Sequence, residues 1–167
     1  MQNSKETIRF FVILAICYAV WYALYFWWIE PDGRLNALIA YNIVAVTAGL
    51  LELFGYTIFV FDRVVGIMFS AGVEVIDGCT ATEVIGLFVG FIIAYPGTNQ
   101  MRLIFIPLGL FVIYLVNVFR IFGLALVQHH FPEYMDASHD YTANTIFYIA
   151  IFGLWVLWAI YGEEKHG

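Results

Sequence analysis

At 167 residues, 63% hydrophobic and only 12% charged, with a mean hydropathy of +0.86, the chain carries more apolar surface than a soluble domain of this size can bury. That excludes a soluble fold and makes it an integral membrane protein. A formal net charge of −6 gives no basic footprint for nucleic acid, so no nucleic-acid partner is expected.

Residues 10–29 run for twenty positions without a charge. At about 1.5 Å per residue they can cross a hydrocarbon core of roughly 30 Å. The run exceeds an ordinary signal-peptide core, and Trp27-Trp28-Ile29-Glu30-Pro31 offers no small-residue cleavage site. The segment therefore reads as a retained anchor with an aromatic belt at its far end. Glu30-Pro31-Asp32-Gly33 reads as a turn. The next apolar stretch, 35–51, is weaker, broken by Asn36, Asn42 and Thr47. Short β-branched and aromatic runs at 57–61 and 73–76, around glycines 66 and 72, predict a small β-hairpin lying over the membrane face. Residues 79–95 make a shorter span with Glu83 near its start, 103–128 make a span containing one charge, Arg120, and 141–162 form an uncharged last span. There is no repeat or linker, so 1–167 reads as a single integral membrane domain.

Basic residues collect in cytoplasmic loops. If 35–51 does not fully cross, Lys5, Arg9, Arg102 and Lys165 share one side and only Arg34 and Arg63 fall opposite. If it does cross, the split is three against three. The expectation is an all-α multi-pass protein of the cytoplasmic (inner) membrane, with four spanning helices plus one interfacial or re-entrant helix, or a fifth span. Its N-terminus is then inside, and most acidic residues lie outside.

Consecutive spans run in opposite directions, so the start of 79–95, the end of 103–128 and the start of 141–162 lie on one side. Cys79, Arg120 and His139 then share one face. Free cysteines usually behave as small buried hydrophobes, which suits Cys17 in mid-span. Cys79 differs, because Asp77-Gly78 breaks the chain before it and Thr80-Ala81-Thr82-Glu83 has the capping-box pattern. A sulfur at a helix N-terminus is favoured as thiolate, the nucleophilic form. Glu83 reads as a capping residue. Arg120 is a guanidinium inside an apolar span, a placement that costs at least about 2.5 kcal/mol and is usually tied to function or a partner. Snorkelling to the interface is its bland alternative. Asn117 lies one turn earlier on the same face. His139 sits in the histidine-rich stretch 128–140, which is either a solvated polar loop, a metal site using residues of 129–140, or the source of a proton carrier for Cys79.

Together these positions resemble the exosortase/archaeosortase family of multi-pass membrane cysteine peptidases. The resemblance rests on Cys79-Thr80-Ala81 at a helix mouth, Asn117-Val118-Phe119-Arg120 near the end of the next span, and His139-Asp140 before the following one. It covers residues 55–161, as in a short member, and Ala81 stands where the motif usually carries glycine. It implies an enzyme that recognises exported envelope proteins bearing a C-terminal signal of short motif, transmembrane helix and basic tail, and cuts outside the membrane. Cys79 is then the nucleophile, His139 the proton carrier and Arg120 the oxyanion or substrate contact, with Asn117, Thr80 and Asp140 in support and no cofactor. Analogy with the unrelated sortases adds transfer of the acyl group to an amine or lipid acceptor. Two rivals use the same residues differently: a metal-binding membrane protein built on 129–140, and a non-catalytic assembly subunit packing through its aromatic helix faces.

Overall fold

The structure, a computed structural model, describes residues 2–139 and 144–162. Helix α1 (Gln2–Leu24) runs on through a π-helical segment, Tyr25–Ile29, and a last turn, Glu30–Asp32. Gly33 ends it at φ +65°, a left-handed conformation that glycine adopts without steric cost. Helix α2 (Arg34–Leu53) follows at once. Then come strands β1 (Ile58–Phe61), β2 (Val64–Ile67) and β3 (Val73–Glu74), helix α3 (Thr82–Ala94), helix α4 (Asn99–His130), two short turns (Pro132–Tyr134 and Met135–Ala137) and helix α5 (Asn144–Tyr161).

Among the described residues, three helices are long and apolar enough to cross a membrane: Ser4–Asp32, Arg34–Leu53 and Asn99–His130. Val84–Ala94 and Thr145–Tyr161 are apolar but shorter. The weak stretch at 35–51 is thus one unbroken helix. Asn36 and Thr47, which lower its hydropathy, are fully buried on the side that also buries Ala40, Ile43 and Leu51. The expected hairpin is a three-stranded antiparallel meander in the order β1-β2-β3. The residues around Gly66 form its middle strand rather than a turn, with Gly66 opposite Phe59. A Cβ at Gly66 would lie 2.6 Å from the Gly72 Cα and 2.8 Å from the Phe59 ring, so only glycine lets the strand pass there.

The 32 residues of α4 extend about 48 Å and take part in two separate cores. Its N-terminal half packs with α3 and α5 around Phe88, Ile92, Ile113, Phe147 and Trp158. Its C-terminal half packs with α2 and the sheet around Ile43, Leu51, Val65, Ile121 and Leu124, with Cys79 in the same cluster. Helix α2 runs alongside α4 in the same direction: the Tyr114 hydroxyl donates to Asn42 Oδ1, and further along Phe54 meets Phe122 at 5.4 Å between ring centroids. Arg102 closes the opposite end of the α3/α4 pair. Its guanidinium donates to the carbonyls of Ile92 (3.2 Å), Ile93 (3.2 Å) and Tyr95 (3.1 Å), which α3 leaves without helical partners.

Helix α1 lies antiparallel on α3 over the small residues Gly86 and Gly90, with Trp21 against the first and Cys17 beside the second. Small residues four apart let two membrane helices approach closely. An added Cβ at Gly86 would fall 1.9 Å from Trp21 Cδ1, at the root of the ring, where a rotamer change gives little relief. Gly86→Val is therefore expected to push α1 off α3 and destabilise the protein by roughly 1–3 kcal/mol. A thermal melt in detergent checks this, and an unchanged melting temperature would contradict the contact.

Candidate functional site where the start of α3 meets α4

Asp77, Gly78 and Cys79 form a 3₁₀ turn, and the helix after them starts only at Thr82. Cys79 therefore stands two residues before the N-cap, one further from the helix than a cap at Thr80 would place it. The expected capping box is also corrected. The N-cap is Ala81 and no side chain caps it, because Thr80 turns the other way and donates its hydroxyl to the Asp77 carbonyl at 2.7 Å. The Thr80 and Thr82 hydroxyls lie 2.7 Å apart, and Thr82 has one proton to give either to Thr80 Oγ1 or to Asn36. The Thr82 hydroxyl is 3.0 Å from Asn36 Oδ1, and Asn36 donates to the Tyr25 hydroxyl at 3.4 Å. Buried polar groups need such partners, and this chain of them ties the Cys79 turn to α2 and to the end of α1. From the exposed side, Arg63 Nη1 meets Asp77 Oδ1 at 2.5 Å. Hydrogen bonding to Asp77 raises the Arg63 pKa further above its already high ordinary value.

Ala81 takes φ +62°. For a residue with a Cβ, left-handed backbone costs roughly 1–2 kcal/mol, which explains a preference for glycine at this place in the motif. Relief of that strain in Ala81→Gly is offset by loss of a buried methyl, worth about 0.8 kcal/mol, and by the freer unfolded chain. The variant is expected to be near neutral. Ala81→Val puts a β-branched side chain in a conformation it does not tolerate. It is expected to lower stability by more than about 2 kcal/mol, which a thermal melt comparing the two variants resolves.

Cys79 is buried, with 4% of its surface exposed, and both of its backbone groups are engaged. Its N–H donates to the Ile76 carbonyl at 2.8 Å, and its carbonyl accepts from Asn117 Nδ2 at 2.6 Å. Asn117 is itself buried, and its Oδ1 has no hydrogen-bond partner among the described residues. Arg120 follows one turn later and is half-buried, its Nε enclosed without a hydrogen-bond partner among the described residues. At 3.6 residues per turn it stands about 60° around α4 from Asn117. It lines a cavity of about 410 Å³ whose walls include Phe119, Gly123 and Phe147, and whose lining includes Ser138. His139 follows Ser138 directly and is half-buried. The structure therefore joins Cys79 to Asn117 by a hydrogen bond, and Arg120 to the residue before His139 by a shared cavity. Asp140 lies outside the described residues, and the Glu83 side chain is likewise not described.

Elsewhere in the loop, His130 Nε2 is 3.1 Å from the Tyr56 hydroxyl, with the His129 ring packed edge-on against it. Among the described residues no three His, Cys, Asp or Glu side chains are grouped to hold a metal ion. The sequence reading did not single out Tyr25, Asn36 or Arg63 as site residues. Asn36 had a signal, an amide inside an apolar stretch. Arg63 and Asp77 had none, since no periodicity links residues fourteen positions apart.

Residues 9–156 match the family model described as transmembrane exosortase. The match reaches further toward the N-terminus than residues 55–161 and takes in most of α1 and all of α2. No curated protein and no solved structure matches the chain.

Proposed function

The chain belongs to the transmembrane exosortase family, and from that membership we propose that it is a cysteine peptidase or transpeptidase that cleaves the C-terminal sorting signals of exported proteins. The observation that carries this reading is the hydrogen bond from Asn117 to the Cys79 carbonyl, with Arg120 one turn beyond on the same helix. It fixes the thiol-bearing turn against the helix that supplies a cation. The thiolate of Cys79 attacks the scissile carbonyl, a C–S bond forms, and the peptide C–N bond breaks to leave a thioester. His139 takes the thiol proton and returns it to the leaving amine. Arg120 meets the oxyanion, where a charge in low-dielectric surroundings stabilises it most. Water, or an amine or lipid acceptor, then resolves the thioester.

In this reading α1, α3, the N-terminal half of α4 and α5 cross the cytoplasmic membrane. Helix α2 and the sheet cap the outer end with the site beneath them, and Asp140 supports His139 there. The division of α4 between two cores supports that arrangement. The test is the intact mass of a co-expressed secreted protein carrying a C-terminal helix and basic tail. Loss of the tail is expected, and mass added to the new C-terminus would identify transfer. An intact tail, together with a thiol inert to alkylation, would overturn the reading.

A further inference from the structure

A glycine inside a helix lowers helix stability relative to alanine, so it calls for a local reason. Gly86 and Gly109 have one, because an added Cβ would strike Trp21 and Phe88 respectively. Gly123 does not. A Cβ there would meet nothing within 4 Å, although the residue lies inside α4. The space it leaves open is the cavity of about 410 Å³, one turn from Arg120. Of the described side chains lining that cavity only Arg120 and Ser138 are polar, and the others are apolar, including Phe119, Leu124 and Phe147. A single guanidinium in an apolar wall suits one oxygen flanked by an apolar group. Among the described residues the lining offers no acid for a cationic side chain.

The position decides which part of a peptide reaches it. Asn117 marks the level of Cys79 on α4, and the cavity runs from Val116 to Val127, from that level away from the core around Ile113. In the peptidase reading, on which this inference rests, the leaving part of the substrate continues into the membrane and the acyl part stays outside. We propose that the cavity receives an apolar side chain on the acyl side of the scissile bond, at the residue that carries the attacked carbonyl, and that Gly123 sets the size it accepts. Arg120 lines this cavity and stands one turn of α4 from both Gly123 and the Asn117 that holds the Cys79 turn, so a carbonyl bound at Arg120 has its own side chain within reach of Gly123.

The experiment compares wild type, Gly123→Ala and Gly123→Leu on one co-expressed substrate, with the residue before the mapped cut set to Phe, Leu or Ala and processing followed by intact mass. Wild type is expected to process the Phe and Leu forms about tenfold or more faster than the Ala form, as apolar pockets discriminate. Gly123→Leu is expected to lose that advantage, its Phe/Ala and Leu/Ala rate ratios falling toward one, with Gly123→Ala between. An unchanged preference in Gly123→Leu, or an equal loss on all three substrates in both variants, overturns the subsite. So does preserved preference with loss of added mass, which would assign the cavity to an acceptor lipid or amine. No cleavage by wild type would overturn the peptidase reading and this inference with it.

Discussion

Cys79→Ala is expected to leave substrate uncut, with the rate falling by about 10⁴-fold or more, the scale seen when a catalytic nucleophile is removed. The protein should nevertheless remain folded. Cys79 is held by its backbone, through the Ile76 carbonyl and the Asn117 amide, and neither bond involves the sulfur. Losing one buried sulfur costs on the order of 1 kcal/mol, a shift of a few degrees in melting temperature. Cys79→Ser keeps the size of the side chain but replaces a thiol with a hydroxyl of much higher pKa, so it should be equally inactive. Cys17→Ala serves as the comparison, since Cys17 lies against Gly90 on the α1–α3 contact and away from the 3₁₀ turn. Processing by Cys79→Ala at the wild-type rate would end the nucleophile assignment. Loss of activity in Cys17→Ala with unchanged abundance would show that thiol dependence does not isolate Cys79.

Arg120→Leu is expected to lower kcat by about 10²–10³-fold, the effect of deleting one oxyanion donor, while raising thermal stability. The opposite signs follow from its surroundings. Arg120 Nε is enclosed and has no hydrogen-bond partner among the described residues, so the folded protein bears a desolvation cost that leucine removes. Arg120→Lys keeps the charge but not the planar fork of donors, and it should recover little activity. A snorkelling arginine would behave otherwise, with little change in kcat for either variant. Rates from substrate mass, read beside detergent melts, separate the two cases. A variant that lost stability and activity together would instead make Arg120 a structural contact.

Much of the candidate site was legible because it rests on local features. Cys79 follows an Asp-Gly break, Arg120 interrupts an apolar run, and the order of spans alone brings Cys79, Arg120 and the loop of His139 to one end. The capping box misled for a physical reason. Its pattern specifies which side chains could cap a helix, whereas at this site the Thr80 hydroxyl finds a better-placed acceptor in the Asp77 carbonyl and the helix begins two residues later. Asn36 looked like a flaw in a span and proved to be the buried partner of Thr82, fully enclosed between α2 and the Cys79 turn. The meander was half-seen, because β2 carries a glycine that its pairing with Phe59 requires and that propensity reads as a break.

By itself the sequence determined that the chain is a membrane protein, where its apolar segments lie, and which few residues are chemically unusual among them. Hydropathy is a sum over neighbours along the chain, so these properties need no knowledge of packing. The tertiary structure alone decided that α4 serves two cores, that Asn117 holds the Cys79 carbonyl, and that Gly123 opens a cavity beside Arg120. Each depends on how helices are rotated against one another. That rotation is set by close contacts such as Trp21 on Gly86 and Phe88 on Gly109, between residues that the chain keeps far apart.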